Sequence, residues 1–233
     1  MKPRICVSIP LERSSELSSL IRRAQDAGAD FIEVRLDYLK GEILTKMNSI
    51  EKAILNASVP LIATNRKYEQ GGRRPQNEET RIVTLTKAAE IGFQYVDIEL
   101  SSENLKVIVK RIRDLGSKPI LSFHDFKGTP SDSEMEKIMK MQLESGAEVC
   151  KIVTTANTLE DNIKCLLFTQ KMSQVMNIVC FAMGSKGILS RVLSPLFGSF
   201  FTFSSLEPKL ETASGQFSIS ELKEIYKKLG VIS

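Results

Sequence analysis

One lysine and one histidine carry most of the chemistry this sequence offers. Lys151 lies in Cys150-Lys151-Ile152-Val153, an apolar, β-branched run. A lysine in such surroundings is desolvated, which favours the neutral amine and makes it a nucleophile toward a ketone or aldehyde. The alternative is an interior ammonium paired with Glu33 or Asp97. His124 is the only histidine of the chain and sits in Ser122-Phe123-His124-Asp125. An imidazole with an ordinary pKa of about 6.5 is the natural proton shuttle near neutral pH. No G-x-S-x-G segment accompanies it, which disfavours a serine hydrolase.

Charged residues recur in runs that otherwise read as buried strand. In Phe31-Ile32-Glu33-Val34-Arg35-Leu36-Asp37, the even positions are apolar and the odd ones ionic. A strand has period two, so one face is greasy and the other charged. Asp97 and Glu99 repeat the pattern, and Lys151 and His124 fall on the corresponding face of their own runs. A self-satisfying ion cluster would explain any one of these strands. Their recurrence near strand ends points instead to a polar pocket. Arg66 follows Pro60-Leu61-Ile62-Ala63-Thr64 and precedes Gly71-Gly72-Arg73-Arg74, read as a tight loop with two solvated arginines. Met183-Gly184-Ser185-Lys186-Gly187 leads to Ser190-Arg191, where glycine amides could meet an anion and Arg191 could fork a carboxylate. Ala213-Ser214-Gly215-Gln216 reads as a polar loop able to close over a site.

The elements that must position these groups alternate regularly. Apolar, β-branched runs occur at residues 4–9, 31–37, 60–64, 95–100, 119–124, 149–154, 177–183 and 199–203. Stretches of helical period lie between them, among them 16–27, 78–91 and 131–145, the last opened by Ser131 or Ser133. Gly28, Gly92 and Gly146 stand where helix C-caps are expected. Eight units in 233 residues is close to the ~30 residues of a βα unit. The expected fold is therefore a (β/α)8 TIM barrel, one domain over residues 1–233. A doubly wound sheet is the runner-up, but no glycine-rich turn follows the first strand.

Composition narrows the function. The net charge of +4 is spread along the chain, so no nucleic-acid stripe is indicated. No apolar run approaches the ~18 residues of a membrane helix, and no signal-peptide core follows the N-terminus. One histidine and four scattered cysteines, Cys6, Cys150, Cys165 and Cys180, predict no metal site and no disulfide framework. They read as buried thiols in a reducing cytoplasm.

Taken in order, Glu33-Val34-Arg35-Leu36-Asp37, Arg66 before Gly71-Gly72, His124-Asp125-Phe126, Lys151-Ile152-Val153, Met183-Gly184 through Ser190-Arg191, and Phe203 before Gly215-Gln216 span nearly the whole chain. This series resembles the type I 3-dehydroquinate dehydratases of the shikimate pathway. The resemblance implies a (β/α)8 barrel, usually a homodimer, that uses no metal or organic cofactor. It implies that Lys151 forms an imine with the ketone of 3-dehydroquinate and that His124 handles protons. Glu33, Arg35 and Arg66 would bind ring hydroxyls, and Arg191 and Gln216 the carboxylate. Two positions depart from the family pattern. Gln70 stands where a Glu is common, and Thr212 where the family has a loop Ser, whose hydroxyl Thr retains. Two other functions remain open at this point: a class I aldolase or transaldolase barrel, and a catalytically silent barrel that binds a carboxylate metabolite.

Overall fold

The computed structural model describes residues 2–232, and eight parallel strands alternate with helices along them. The strands are β1 (Ile5–Pro10), β2 (Phe31–Arg35), β3 (Leu61–Thr64), β4 (Tyr95–Glu99), β5 (Lys118–His124), β6 (Val149–Thr155), β7 (Ile178–Met183) and β8 (Thr202–Ser205). Each pairs with its sequence neighbour from β1 to β7, and β8 pairs with β1. The remaining gap is bridged below β8, where the Phe200 amide donates to the Ile178 carbonyl at 2.7 Å. The result is the expected (β/α)8 barrel, nearly closed.

The helices α1 (Leu17–Asp26), α2 (Met47–Ile54), α3 (Glu78–Glu90), α4 (Leu105–Asp114), α5 (Asp132–Glu144), α6 (Glu160–Met172), α7 (Ile188–Leu193) and α8 (Ile219–Lys228) follow the strands in turn. Of the two candidate caps for α5, Ser131 is the one used. Its hydroxyl accepts from the Glu134 amide while the Glu134 side chain returns to the Ser131 amide. This reciprocal arrangement satisfies two otherwise unpaired donors. Gly28, Gly92 and Gly146 all have positive φ at helix ends, as a C-cap requires.

Two strand boundaries differ from the sequence reading. β2 stops at Arg35, and Leu36–Tyr38 is a helical turn, so Asp37 does not continue the inner face of the strand. β8 begins at Thr202 rather than 199. Phe200 and Phe201 look like strand because they are apolar, but they pack into the barrel floor against Phe31, with ring centroids 5.3 and 5.1 Å away.

The barrel interior is layered. Cys6, Phe31, Ile62, Tyr95, Ile120, Val149, Val179 and Phe201 form a dry floor. Two residues further along each strand, the same face presents Ser8, Glu33, Thr64, Asp97, Ser122, Lys151, Phe181 and Phe203, all buried. Side chains two apart share a face and lie about 6–7 Å apart along the strand. One step of that size therefore carries the interior from aromatic to ionic. Outside the sheet, Ile32, Val34, Val96, Ile98, Leu121 and their neighbours pack beneath the helices. This outer core frees the inner face to carry charge.

Candidate active site

The C-terminal mouth of the barrel, where active sites of this fold lie, holds a cavity of about 370 Å³. Glu33, Arg35, Arg66, His124, Lys151, Arg191, Thr212 and Gln216, read from the sequence as candidates, all line it, as does Gln70. Strands β2, β5 and β6, the loops after β3 and β8, and helix α7 supply these side chains, so the geometry is held by the barrel rather than by any one segment.

Lys151 rises from the middle of β6. Its Nζ lies 2.7 Å from Asp97 Oδ2 and 3.9 Å from Glu33 Oε1, and 4.5 Å from the centroid of the Phe203 ring. The expectation of purely apolar surroundings needs correcting. The lysine is buried against a ring on one side and two carboxylates on the other. Of the apolar neighbours in its sequence, Cys150 and Ile152 pack outward beneath the helices, while Val153 lines the cavity.

Asp97 is shared. Its Oδ2 also meets Arg66 Nη2 at 2.8 Å, and its Oδ1 accepts from Ser122 Oγ at 2.7 Å. Burial alone would raise its pKa, but Arg66 and Lys151 hold it well below the usual carboxylate range. Arg66 is likewise penalised by burial, yet Asp97 and Glu99 hold its pKa above the ordinary arginine value. Arg66 borders the cavity while committed to two acids. Arg35 is committed too, bidentate to Asp37 at 2.8 and 2.7 Å and donating to the Gly71 carbonyl at 3.2 Å. Asp37, fully buried, also accepts from the Arg73 amide at 2.9 Å. Arg73 is exposed, as expected of a solvated loop arginine, while Arg74 is half-buried and donates to the Gly41 carbonyl at 3.0 Å. Gly72 is required here because a Cβ would lie 2.2 Å from the Arg66 carbonyl oxygen.

His124 ends β5 half-buried at the cavity wall, its ring stacked near Phe126 at 6.2 Å between centroids. Burial, together with the cations Arg66 and Lys151, pushes its pKa well below 6.5. The imidazole is therefore neutral at pH 7, able to accept a proton. Its Nδ1 is buried with no hydrogen-bond partner among the described residues.

Arg191, on α7, is the exception among the buried cations. Its guanidinium lies over the Phe181 ring at 4.5 Å and makes one long hydrogen bond, 3.3 Å, to the Ser214 carbonyl. No carboxylate among the described residues pairs with it, and desolvation lowers its pKa to about 10. A guanidinium buried at a cavity wall without an acid keeps most of its planar fork of donors free, the geometry that suits a carboxylate. Of the glycines before Arg191, Gly184 lines the cavity, but Gly187 is not the anion donor anticipated. The Gly187 amide is bonded to the Gly184 carbonyl at 3.0 Å, which turns the chain into α7.

The loop after β8 forms the roof. Thr212 Oγ1 donates to Ser8 Oγ at 3.0 Å, Ser8 donates to Glu33, and the Thr212 amide donates to Gln216 Oε1 at 2.9 Å. Ser8 was missed in the sequence; its one signal is its place two residues beyond the floor residue Cys6. Arg81 was missed as well. It lies three, four and seven residues before the buried Thr84, Leu85 and Ala88 of α3, a spacing that puts it on the inner face of that helix.

Fold and cavity together define a (β/α)8-barrel protein whose mouth encloses a lysine, a neutral imidazole and a buried guanidinium that no acid among the described residues neutralises. The chain belongs to the type I 3-dehydroquinase family, a family of hydro-lyases, whose profile matches residues 5–233. A 3-dehydroquinate dehydratase of Dehalococcoides mccartyi is 39% identical over 227 residues, covering 97% of this chain and 96% of the relative. The solved type I 3-dehydroquinate dehydratase of Clostridium difficile has a TM-score of 0.86 at 26% identity, covering 98% of this chain and 92% of that one. The deoxyribose phosphate aldolase of Aeropyrum pernix shares the fold alone, with a TM-score of 0.62 at 16% identity over 98% of this chain and 90% of that one.

Proposed function

We propose that this protein dehydrates 3-dehydroquinate to 3-dehydroshikimate through an imine on Lys151, with His124 moving the protons. The observation that carries this reading is the placement of Lys151, neutral His124 and unpaired Arg191 around one cavity. Arg191, with Gln216 beside it, takes the substrate carboxylate, which leaves the ring ketone to reach Lys151. Amine and carbonyl condense with loss of one water, and Asp97, 2.7 Å from Nζ, balances the iminium charge. His124 takes the C2 proton, and the electron pair moves into the iminium. The same proton then leaves with the C1 hydroxyl as water. Water finally cleaves the imine, freeing the product and Lys151. Glu33, Arg35, Arg66 and the Thr212 roof hold the ring hydroxyls and exclude solvent. The Clostridium difficile relative, solved with covalent modified comenic acid, supports covalent chemistry in this family. The aldolase likeness supports the barrel only.

Borohydride reduction in the presence of 3-dehydroquinate, followed by peptide mass mapping, tests this. A reduced adduct is expected on the peptide carrying Lys151 and none in Lys151→Ala. An adduct on Lys186 or Lys209 instead, or turnover by Lys151→Ala, defeats the assignment. The family resemblance also supports a homodimer. An exposed apolar row, Leu159, Ile163 and Leu167, gives α6 a face a second copy could cover. Four buried free thiols agree with a reducing cytoplasm, and among the described residues no helix is long and apolar enough to cross a membrane.

A further inference from the structure

Arg81 does not border the cavity, yet all five of its N–H donors are engaged behind it, three of them by acids. Nε and Nη2 reach the two oxygens of Glu78 at 2.8 and 2.9 Å, and Nη2 also reaches Ser102 Oγ at 2.8 Å. Nη1 donates to the Asn65 carbonyl at 3.2 Å and to Glu99 Oε2 at 2.6 Å. Arg81 and Glu99 are each 1% exposed. The other oxygen of Glu99 accepts from Arg66 Nη1 at 2.9 Å and from the Lys67 amide at 3.0 Å. Arg66 then meets Asp97 Oδ2 at 2.8 Å, the oxygen that Lys151 also reaches. Charges of alternating sign thus run from the outer helix to the lysine: Glu78, Arg81, Glu99, Arg66, Asp97, Lys151.

We propose that Arg81 is a positioning residue for the reaction, acting through Glu99 to fix how Arg66 is divided between Glu99 and Asp97. This rests on the reading of Lys151 as the imine lysine. Two carboxylates compete for the Arg66 guanidinium, and Arg81 neutralises one of them. Without it, Glu99 would be a buried carboxylate with Arg66 as its only charged partner, and it would draw Arg66 away from Asp97. The charge of Asp97 would then fall more fully on Lys151, favouring the ammonium over the amine that must attack the ketone. Around Lys151 stand Cys6 from β1, Glu33 and Arg35 from β2, Arg66 after β3, Asp97 from β4, His124 from β5, Phe203 from β8 and Arg191 from α7. Arg81 is not among them; it adjusts the Arg66–Asp97 pair because it is bonded to Glu99, the acid that competes for Arg66.

The test uses Arg81→Met, Glu99→Gln, their double variant and Arg81→Lys in the full chain. It reads kcat, KM, the pH profile of kcat/KM and the rate of borohydride trapping on Lys151. Arg81→Met is expected to lower kcat/KM by about 10- to 100-fold, the range seen when outer partners of functional ligands are removed. The loss should appear in kcat rather than KM, with the acid limb moved to higher pH. Adding Glu99→Gln removes the uncompensated charge, so the double variant should recover part of the loss, a non-additive cycle. A folded Arg81→Met with wild-type kcat and an unmoved limb, or strictly additive losses, overturns the proposal. If Arg81→Met does not fold, Arg81→Lys decides, since it keeps the charge but lacks the fork. A smaller shift in the same direction is expected of it, and a profile superimposable on wild type overturns the proposal. Absence of any adduct on Lys151 in the wild-type enzyme overturns both this proposal and the imine reading. Failure of the proposal alone leaves that adduct in place.

Discussion

Arg191→Met should stabilise the empty barrel while disabling it. Burial lowers the Arg191 pKa from 12.5 to about 10. At 1.36 kcal/mol per unit, this corresponds to about 3 kcal/mol of unfavourable charge burial in the unliganded state. The guanidinium is fully protonated at pH 7 in both folded and unfolded chains. The penalty is therefore present across the neutral range and is relieved only as pH rises through 10 toward 12.5. Methionine matches the length of the stem and removes the charge. It also removes the stacking on Phe181 and the 3.3 Å bond to Ser214, together about 1–2 kcal/mol. The net expectation is a gain of about 1 kcal/mol, or a rise of ~2–4 °C in the unliganded Tm for a chain of this size. Substrate binding should move the other way. A carboxylate entering the variant loses a desolvated partner, at a cost of about 3–5 kcal/mol, so kcat/KM should fall by roughly 10²–10⁴-fold. Scanning calorimetry without ligand and steady-state kinetics read the two effects. A Tm that drops by several degrees would show Arg191 to be a structural cation. An unchanged KM and kcat would remove it from the carboxylate site.

His124→Ala should still give the borohydride adduct on Lys151 while kcat falls by at least about 10²–10⁴-fold, the usual contribution of one acid–base group; retention of more than about a tenth of wild-type kcat would point to Glu33 as the base. The His124 pKa is lowered in the folded protein, so the unfolded chain binds its proton first as pH falls. Wild type should lose stability below pH ~6.5 relative to His124→Asn, as denaturant titrations at several pH values would reveal; parallel curves would refute it. Chelation with EDTA should leave activity intact, because an imine is itself the electron sink; activity lost and then restored by a divalent ion would contradict the mechanism.

The alternation of apolar runs and helical stretches was enough to specify eight βα units, because burial on both sides of a parallel strand leaves a strong local pattern. The odd–even split of residues 31–35 identified which face was ionic, since side-chain direction in a strand is fixed by period two alone. The same local logic failed at Asp37 and at Phe200. Asp37 continues the period in sequence, but the chain turns after Arg35. Phe200 is apolar enough for a strand, but it fills the barrel floor.

Local pattern also placed Lys151 within a strand, His124 at a strand end and Arg191 in the segment after one, and barrel geometry gathers all three at the mouth. Which charges neutralise one another was decided only by the tertiary structure. Arg35, Arg66 and Arg191 are alike as residue types, yet Arg35 is locked to Asp37, Arg66 is divided between Asp97 and Glu99, and Arg191 meets no acid among the described residues. For Arg66 the Coulomb energy depends on distances of a few ångströms to acids more than thirty positions away. No spacing rule encodes such distances. Ser8 and Arg81 escaped notice for the same reason. A serine in a strand and an arginine on a helix are ordinary in sequence, and their importance arises when closure of the barrel brings β1 beside the final loop and α3 beside β4.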